Sequence, residues 1–304
     1  MKSNKIAWIF FLFCAFIQPL YAQEKIALWP DGKMINSKGK KLDWIESRER
    51  VTQVDKPFMY AYFTSKEENK NSAVLIFPPG GYQKLTYNVA GIQLAKWFNT
   101  IGINAFVVMN RLPTSPDLKE PCYGALQDAQ RAMKIVRSQA AEWEIDPKKI
   151  GVMGCSAGGG VAANVATIRQ DVSSIGDSLD AVSHVPNFQI LISAVISMGE
   201  YGHKGSKEAL LGEHPTDEKI HFFSNELQVT PDTPKAFIVH ANDDPVVNPI
   251  NSVMYYQALR KKNVDAALFI FPHGGHSIAL RNNPLTTNHW TNLCESWLKE
   301  MGFL

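Results

Sequence analysis

Cysteine is scarce, with four in 304 residues, at positions 14, 122, 155 and 294. Cys14 lies in an N-terminal apolar run, so the remainder keeps three, an odd count that excludes a disulfide framework. Three buried free thiols are expected, with a single bridge as the alternative. No CxxC pair or Cys/His cluster has zinc spacing, and the eight histidines are scattered, so no metal is expected. Excess charge is also missing. The formal net charge is +2, and lysine and arginine occur only as scattered pairs such as Lys148-Lys149 and Lys261-Lys262. The dense basic patch that nucleic acid requires is absent, so no such partner is expected. Beyond the N-terminus no apolar run is long enough to cross a membrane. Internal repeats and low-complexity tracts are absent.

The N-terminus reads as a signal peptide over residues 1–22. Lys2 and Lys5 form a positive start, and Ile6 to Ile17 is apolar but short for a mature span. Leu20-Tyr21-Ala22 ends in a small residue, so cleavage is expected after Ala22. An uncleaved anchor is the alternative. Cys14 lacks the preceding small residues of a lipid-attachment site. The expectation is a secreted or periplasmic protein with no stable membrane insertion once the leader is removed.

With 45% hydrophobic and 20% charged residues, the rest suits one large α/β domain. Residues 23–55 read as a polar, irregular extension, and 56–304 as the α/β domain itself. Apolar strand-like runs at Met59–Phe63, Ala73–Phe77, Ile103–Met109, Ile150–Met153, Phe188–Ile196, Lys235–His240 and Ala266–Phe271 alternate with helical spacing at Val89–Thr100, Tyr123–Trp143, Ala157–Thr167, Pro249–Lys261 and Thr291–Met301. That alternation predicts a mostly parallel central sheet with helices on both faces. Residues 199–231 break the pattern and read as an insertion over the site.

Gly154-Cys155-Ser156-Ala157-Gly158 follows a strand and opens a helix, which is G-x-S-x-G in the context its chemistry needs. A serine hydroxyl is a poor nucleophile unless exposed and paired with a base, and a sharp strand-to-helix turn lifts it off the sheet edge. The oxyanion of an acyl-transfer intermediate needs N–H donors. Ala157 supplies one, and Gly80 and Gly81, after the strand ending at Phe77, are the other candidates. Tyr82, next in line, is a candidate substrate contact. The base is expected late in the chain. His276 is preferred because Gly274 and Gly275 give its loop reach, with His273 as the alternative. The acid belongs after Lys235–His240, where Asp244 precedes Pro245-Val246-Val247 and Asp243 is the alternative. His203 and Ser206 in the insertion are candidate substrate contacts. No metal or organic cofactor is required.

Several motifs together resemble secreted bacterial esterases of the acetylxylan-esterase and BD-FAE-like group. They are Pro79-Gly80-Gly81-Tyr82, Asn110-Arg111-Leu112-Pro113, Asp128 to Ala132, Ser156-Ala157-Gly158-Gly159, His203 with Ser206, His240 to Val247 and Phe271 to His276. The resemblance implies the α/β-hydrolase fold, a Ser156–His276–Asp244 triad, and removal of acetyl groups from plant polysaccharide or its oligosaccharides. The partner would be an acylated carbohydrate or another small ester. Pro79 departs from the pattern, where similar proteins often place a third glycine, and it has no N–H to offer. Asn110 stands where they often carry an aromatic residue. Two rival readings are a serine peptidase of prolyl-oligopeptidase type and a non-catalytic binding module on the same fold.

Overall fold

The computed structural model describes residues 24–304, so the expected leader and its cleavage point lie outside the described residues. Ten strands and seven α-helices follow in order: β1 (Glu24–Ala27), β2 (Ile45–Ser47), β3 (Arg50–Gln53), β4 (Phe58–Tyr62), β5 (Ser72–Phe77), α1 (Gln93–Thr100), β6 (Ile103–Met109), α2 (Gly124–Ser138), β7 (Ile150–Cys155), α3 (Ala157–Thr167), β8 (Phe188–Ile192), α4 (Lys204–Leu211), α5 (Asp217–Phe223), β9 (Lys235–Ala241), α6 (Ile250–Lys261), β10 (Ala266–Phe271) and α7 (Trp290–Glu300). Eight strands form one sheet in the order β1-β4-β6-β5-β7-β8-β9-β10. From β6 to β10 every pairing is parallel, and β1 and β4 run antiparallel at one edge.

Strand β5 shows how the sequence builds both layers. All six of its residues are buried, the pattern of a strand covered on both faces. Successive side chains of a strand point to opposite faces. Ala73, Leu75 and Phe77 join a core with Leu126 and Val136 of α2, Val161 of α3 and Leu259 of α6. Val74 and Ile76 join a second core with Leu94 and Phe98 of α1 and Trp290, Trp297 and Leu298 of α7. The helices therefore lie on both faces, as expected.

Two segments are more regular than their sequence reading. Residues 23–55 were expected to be irregular, yet β1 extends the main sheet and β2 and β3 form a hairpin. The hairpin turns at Arg48 and Glu49, whose φ angles are +51° and +59°. Such a turn usually advertises itself with Asn or Gly, and neither is present. Residues 199–231, read as an insertion over the site that breaks the strand–helix pattern, hold α4 and α5, with Leu210, Leu211 and Phe223 buried.

A buried ion pair ties the N-terminal segment down. Arg111 and Asp128 are 1% and 0% exposed and meet at 2.8 Å. Asp128 also accepts from Trp29 Nε1 at 2.7 Å, and Arg111 donates to the Ile35 carbonyl at 2.8 Å. Two of the motifs behind the family resemblance thus carry packing.

Candidate active site

Four loops at the C-terminal ends of β5, β7, β9 and β10 meet at one sheet edge, where parallel α/β sheets place their ligands. Ser156 joins β7 to α3 with φ +54° and ψ −125°. A non-glycine residue there is strained, and the strain is held by packing and backbone bonds. The Ser156 N–H donates to the Ile192 carbonyl at 3.0 Å, and its carbonyl accepts from Gly160 and Val195 at 3.1 and 3.0 Å. The turn closes only on glycine: a Cβ on Gly154 would strike the Gly158 carbonyl, and one on Gly158 the Phe77 carbonyl.

Ser156 Oγ lies 2.8 Å from His276 Nε2, and His276 Nδ1 lies 2.8 Å from Asp244 Oδ2. The other oxygen of Asp244 accepts from the N–H groups of Val246 and Val247 at 2.8 and 3.0 Å. Burial alone would raise the Asp244 pKa. The hydrogen bonds from His240, His276, Val246 and Val247 outweigh it and hold the carboxyl well below its ordinary range, so it is ionised at neutral pH. Asp243 is placed differently. It is exposed and pairs with His273 at 3.3 Å and the Gly275 N–H at 2.8 Å.

The line of three opens into a cavity of about 490 Å³, walled among others by Arg50, Pro79, Gly81, His203 and Leu280. Gly80 and Gly81 lie in a turn closed by Lys84 N–H on the Gly80 carbonyl at 3.2 Å and Thr86 N–H on the Pro79 carbonyl at 2.8 Å. Among the described residues, the N–H groups of Gly80, Gly81 and Ala157 find no backbone acceptor outside regular helix and strand bonding. Ala157 is the first residue of α3, so its N–H has no acceptor within the helix either. All three remain available at the edge where Ser156 stands. Cys155 is buried, and burial pushes its thiol up to about 12, so it is no second nucleophile at neutral pH. Cys122 and Cys294 are likewise buried free thiols.

Tyr82 is the candidate that does not reach the site. It is 3% exposed, its hydroxyl lies against Gly160 of α3, and it has no hydrogen-bond partner. The cavity lining omits it. Its φ of +61° turns the backbone after the glycine pair, and that redirection is why neighbours in sequence part company. His203 lines the cavity, and Ser206 is buried behind it.

Two residues were given no role from the sequence. His240, at 0% exposure, directs Nε2 at both Asp244 Oδ2 (3.2 Å) and the Val247 carbonyl (3.0 Å). Facing two acceptors, this nitrogen carries the proton and donates. The spacing of four between positions 240 and 244 was the available signal. Arg50, on the hairpin, left none.

The BD-FAE family pattern matches residues 62–259. The chain belongs to the BD-FAE family. Hairpin β2–β3, and with it Arg50, lies outside that match. Endo-1,4-beta-xylanase B of Butyrivibrio fibrisolvens is 34% identical over 230 residues, which cover 75% of this chain and 35% of that protein. Acetylxylan esterase of Xylanibacter ruminicola is 35% identical over 241 residues, covering 78% of this chain and 45% of the relative. The aligned region thus spans less than half of each relative. Among solved structures, the acetyl ester-xyloside bifunctional hydrolase of Caldicellulosiruptor lactoaceticus superposes with a TM-score of 0.79 at 32% identity, covering 93% of this chain and 97% of its own. Esterase Est2 of Thermogutta terrifontis, in its propionate-bound form, superposes at 0.71 with 23% identity, covering 93% and 95%. This BD-FAE member therefore has the α/β-hydrolase fold.

Proposed function

We propose that this BD-FAE member is a serine carboxylic-ester hydrolase that removes acetyl groups from acetylated xylan or its oligosaccharides. One observation carries the reading: Ser156, His276 and Asp244 lie in a continuous hydrogen-bonded line whose first two members line a cavity. The xylan-related names and acetyl chemistry of the relatives support the substrate class.

Ser156 Oγ attacks the ester carbonyl while His276 Nε2 takes its proton. Asp244 keeps the other imidazole proton on Nδ1 and stabilises the imidazolium. The N–H of Ala157, with those of Gly80 and Gly81, receives the oxyanion. His276 then passes its proton to the departing sugar oxygen. Water activated by the same imidazole attacks the acyl-enzyme, and acetate leaves. The leader of residues 1–22 would direct the protein to the periplasm or outside the cell, where a polysaccharide substrate is found.

Acetate release from acetylated xylan and hydrolysis of p-nitrophenyl acetate test the reading. Wild type is expected to act on both, and Ser156→Ala to lose about 10⁴-fold or more of kcat. Cleavage of a peptide amide without acetate release would favour the peptidase, and equal activity of wild type and Ser156→Ala would remove the triad altogether.

A further inference from the structure

A second imidazole stands in the cavity wall, and the triad does not use it. His203 caps α4: its Nδ1 accepts from the Ser206 N–H at 3.2 Å and lies 2.8 Å from Ser206 Oγ. A backbone N–H in the first turn of a helix has no intrahelical acceptor and can only donate. Nδ1 is therefore an acceptor and carries no proton. In the neutral ring the proton must sit on Nε2. That nitrogen has no partner among the described residues, while the ring lines the same cavity as Ser156 and His276. Burial, and then the neighbouring His276, lower the His203 pKa against the opposing pull of Asp244. The neutral form thus prevails at neutral pH.

The cap is itself fixed. Ser206 is 0% exposed, and its hydroxyl lies 4.0 Å from where a Cβ on Gly81 would project. The His203–Ser206 pair therefore abuts the loop that carries the Gly80 and Gly81 N–H groups. This unpartnered donor, held in one tautomer, thus belongs to a residue that lines the cavity an ester must enter, beside both that loop and His276. There it can bind an acceptor oxygen next to the scissile bond.

We propose that His203 Nε2–H donates a hydrogen bond to an oxygen on the alcohol side of the substrate, so that the site selects esters of polyols over esters of alcohols without a neighbouring hydroxyl. The inference rests on the esterase reading above and names the residue that would select its sugar leaving groups. His203 acts as a specificity-determining residue and moves no proton.

The test uses a matched pair of acetates: a mono-acetylated methyl xyloside, and cyclohexyl acetate, which has a ring of the same size without hydroxyls. Wild type, His203→Ala and His203→Asn are compared by kcat/KM for acetate release. A neutral hydrogen bond is worth about 1 kcal/mol, or roughly fivefold, and more where its loss leaves the partner unsatisfied. His203→Ala is expected to lose about five- to twentyfold on the xyloside and under about threefold on cyclohexyl acetate. His203→Asn keeps a good helix cap and an amide donor, so it is expected to recover part of the xyloside activity. An equal loss on both acetates, or no loss on the xyloside, overturns the proposal while leaving the esterase reading intact. A wild type active on cyclohexyl acetate and inert on the xyloside overturns the proposal and the acetylated-xylan substrate class, leaving only the ester-hydrolase chemistry. A wild type inactive on both acetates and on p-nitrophenyl acetate overturns the esterase reading and this inference with it.

Discussion

Replacing Asp244 by asparagine changes charge and proton count while keeping shape, and the surrounding donors fix how the new amide must lie. Asp244 Oδ1 faces two N–H donors, from Val246 and Val247, and Oδ2 faces His276 Nδ1 and the proton of His240. An asparagine must turn its carbonyl to the two backbone N–H groups. Its amide N–H₂ is then aimed at His276 and becomes a donor where an acceptor stood. The imidazole answers by accepting on Nδ1, which moves its own proton to Nε2. Nε2, 2.8 Å from Ser156 Oγ, can no longer take the serine proton. A tautomer error of this kind costs about 10⁴ in kcat, or about 5.4 kcal/mol of barrier. Asp243→Asn is the control, because its side chain does not touch His276 and an amide oxygen still accepts the Gly275 N–H, and it is expected to stay within about twofold. Stopped-flow and steady-state hydrolysis of p-nitrophenyl acetate read both. If Asp244→Asn kept a tenth of wild-type kcat, or if Asp243→Asn were the worse variant, the reasoning about which carboxylate orients His276 would be refuted.

Other changes probe the frame around the site. Tyr82→Phe removes a buried hydroxyl without a partner, so kcat/KM should hold within about twofold and stability should stay level or rise by up to about 1 kcal/mol in urea unfolding. A tenfold rise in KM would instead put the ring in contact with substrate. Arg111→Ala leaves Asp128 buried and uncompensated, with an expected loss of about 3–5 kcal/mol and faster proteolysis before Ile35; a loss under about 1 kcal/mol would contradict the anchoring role. Asp171 pairs with Lys134, which is fully buried, at 2.5 Å. Burial opposes its ionisation, but hydrogen bonds from Lys134, Ser173 and Ser174 outweigh this and depress its pKa. A depressed folded-state pKa gives stability that is full above the unfolded value near ~3.9 and is lost as pH falls through the folded one. The Tm difference between wild type and Asp171→Asn should be complete at pH 6 and narrow below about pH 4. A gap as wide at pH 2.5 as at pH 6 would rule the pairing out as its source.

The features legible in the sequence were those set by local chemistry. The buried strands β5, β6 and β7 are almost wholly apolar runs, and the turn at Ser156 sits between one of them and a helix, so neither needed tertiary information. The choice between Asp243 and Asp244 did, because both precede the same proline and only the β9–β10 pairing decides which one meets the imidazole. Tyr82 misled for a similar reason. Adjacency to the glycine pair suggested a shared destination, but a positive φ at Tyr82 sends its side chain under α3. Hairpin β2–β3 was invisible because its turn uses Arg48 and Glu49, and its hold on the body comes from distant partners. Tyr87 donates to Glu46 at 2.7 Å, Asn88 to Glu49 at 2.6 Å, and Val51 pairs with Leu85. No window of sequence contains both ends of such contacts.

The strand order explains why the three candidate catalytic residues come from three strands and not from neighbours. Ser156 leaves β7 and His276 leaves β10, three strand positions apart in the sheet. At about 4.8 Å per strand, that separation is about 14 Å, more than an imidazole can span from its own strand end. The loop from Pro272 must therefore run back across β9 towards β7. It does so through Gly274 and Gly275, at φ +159° and +57°, and a Cβ on Gly274 would come within 3.0 Å of Ala241 Cβ at the end of β9. The loop thus hugs the end of the strand it crosses. That same strand end continues into Asp244, so the carboxylate lies beneath the returning imidazole, and the Asp243 carboxylate accepts the Gly275 N–H at 2.8 Å from the outer side. The two aspartates divide the work: one fixes the loop that carries His276, the other fixes the ring. On this account the paired acids after β9 are a consequence of spanning three strands with one loop, and His240, buried beneath them, holds the inner carboxylate against the pull of solvent.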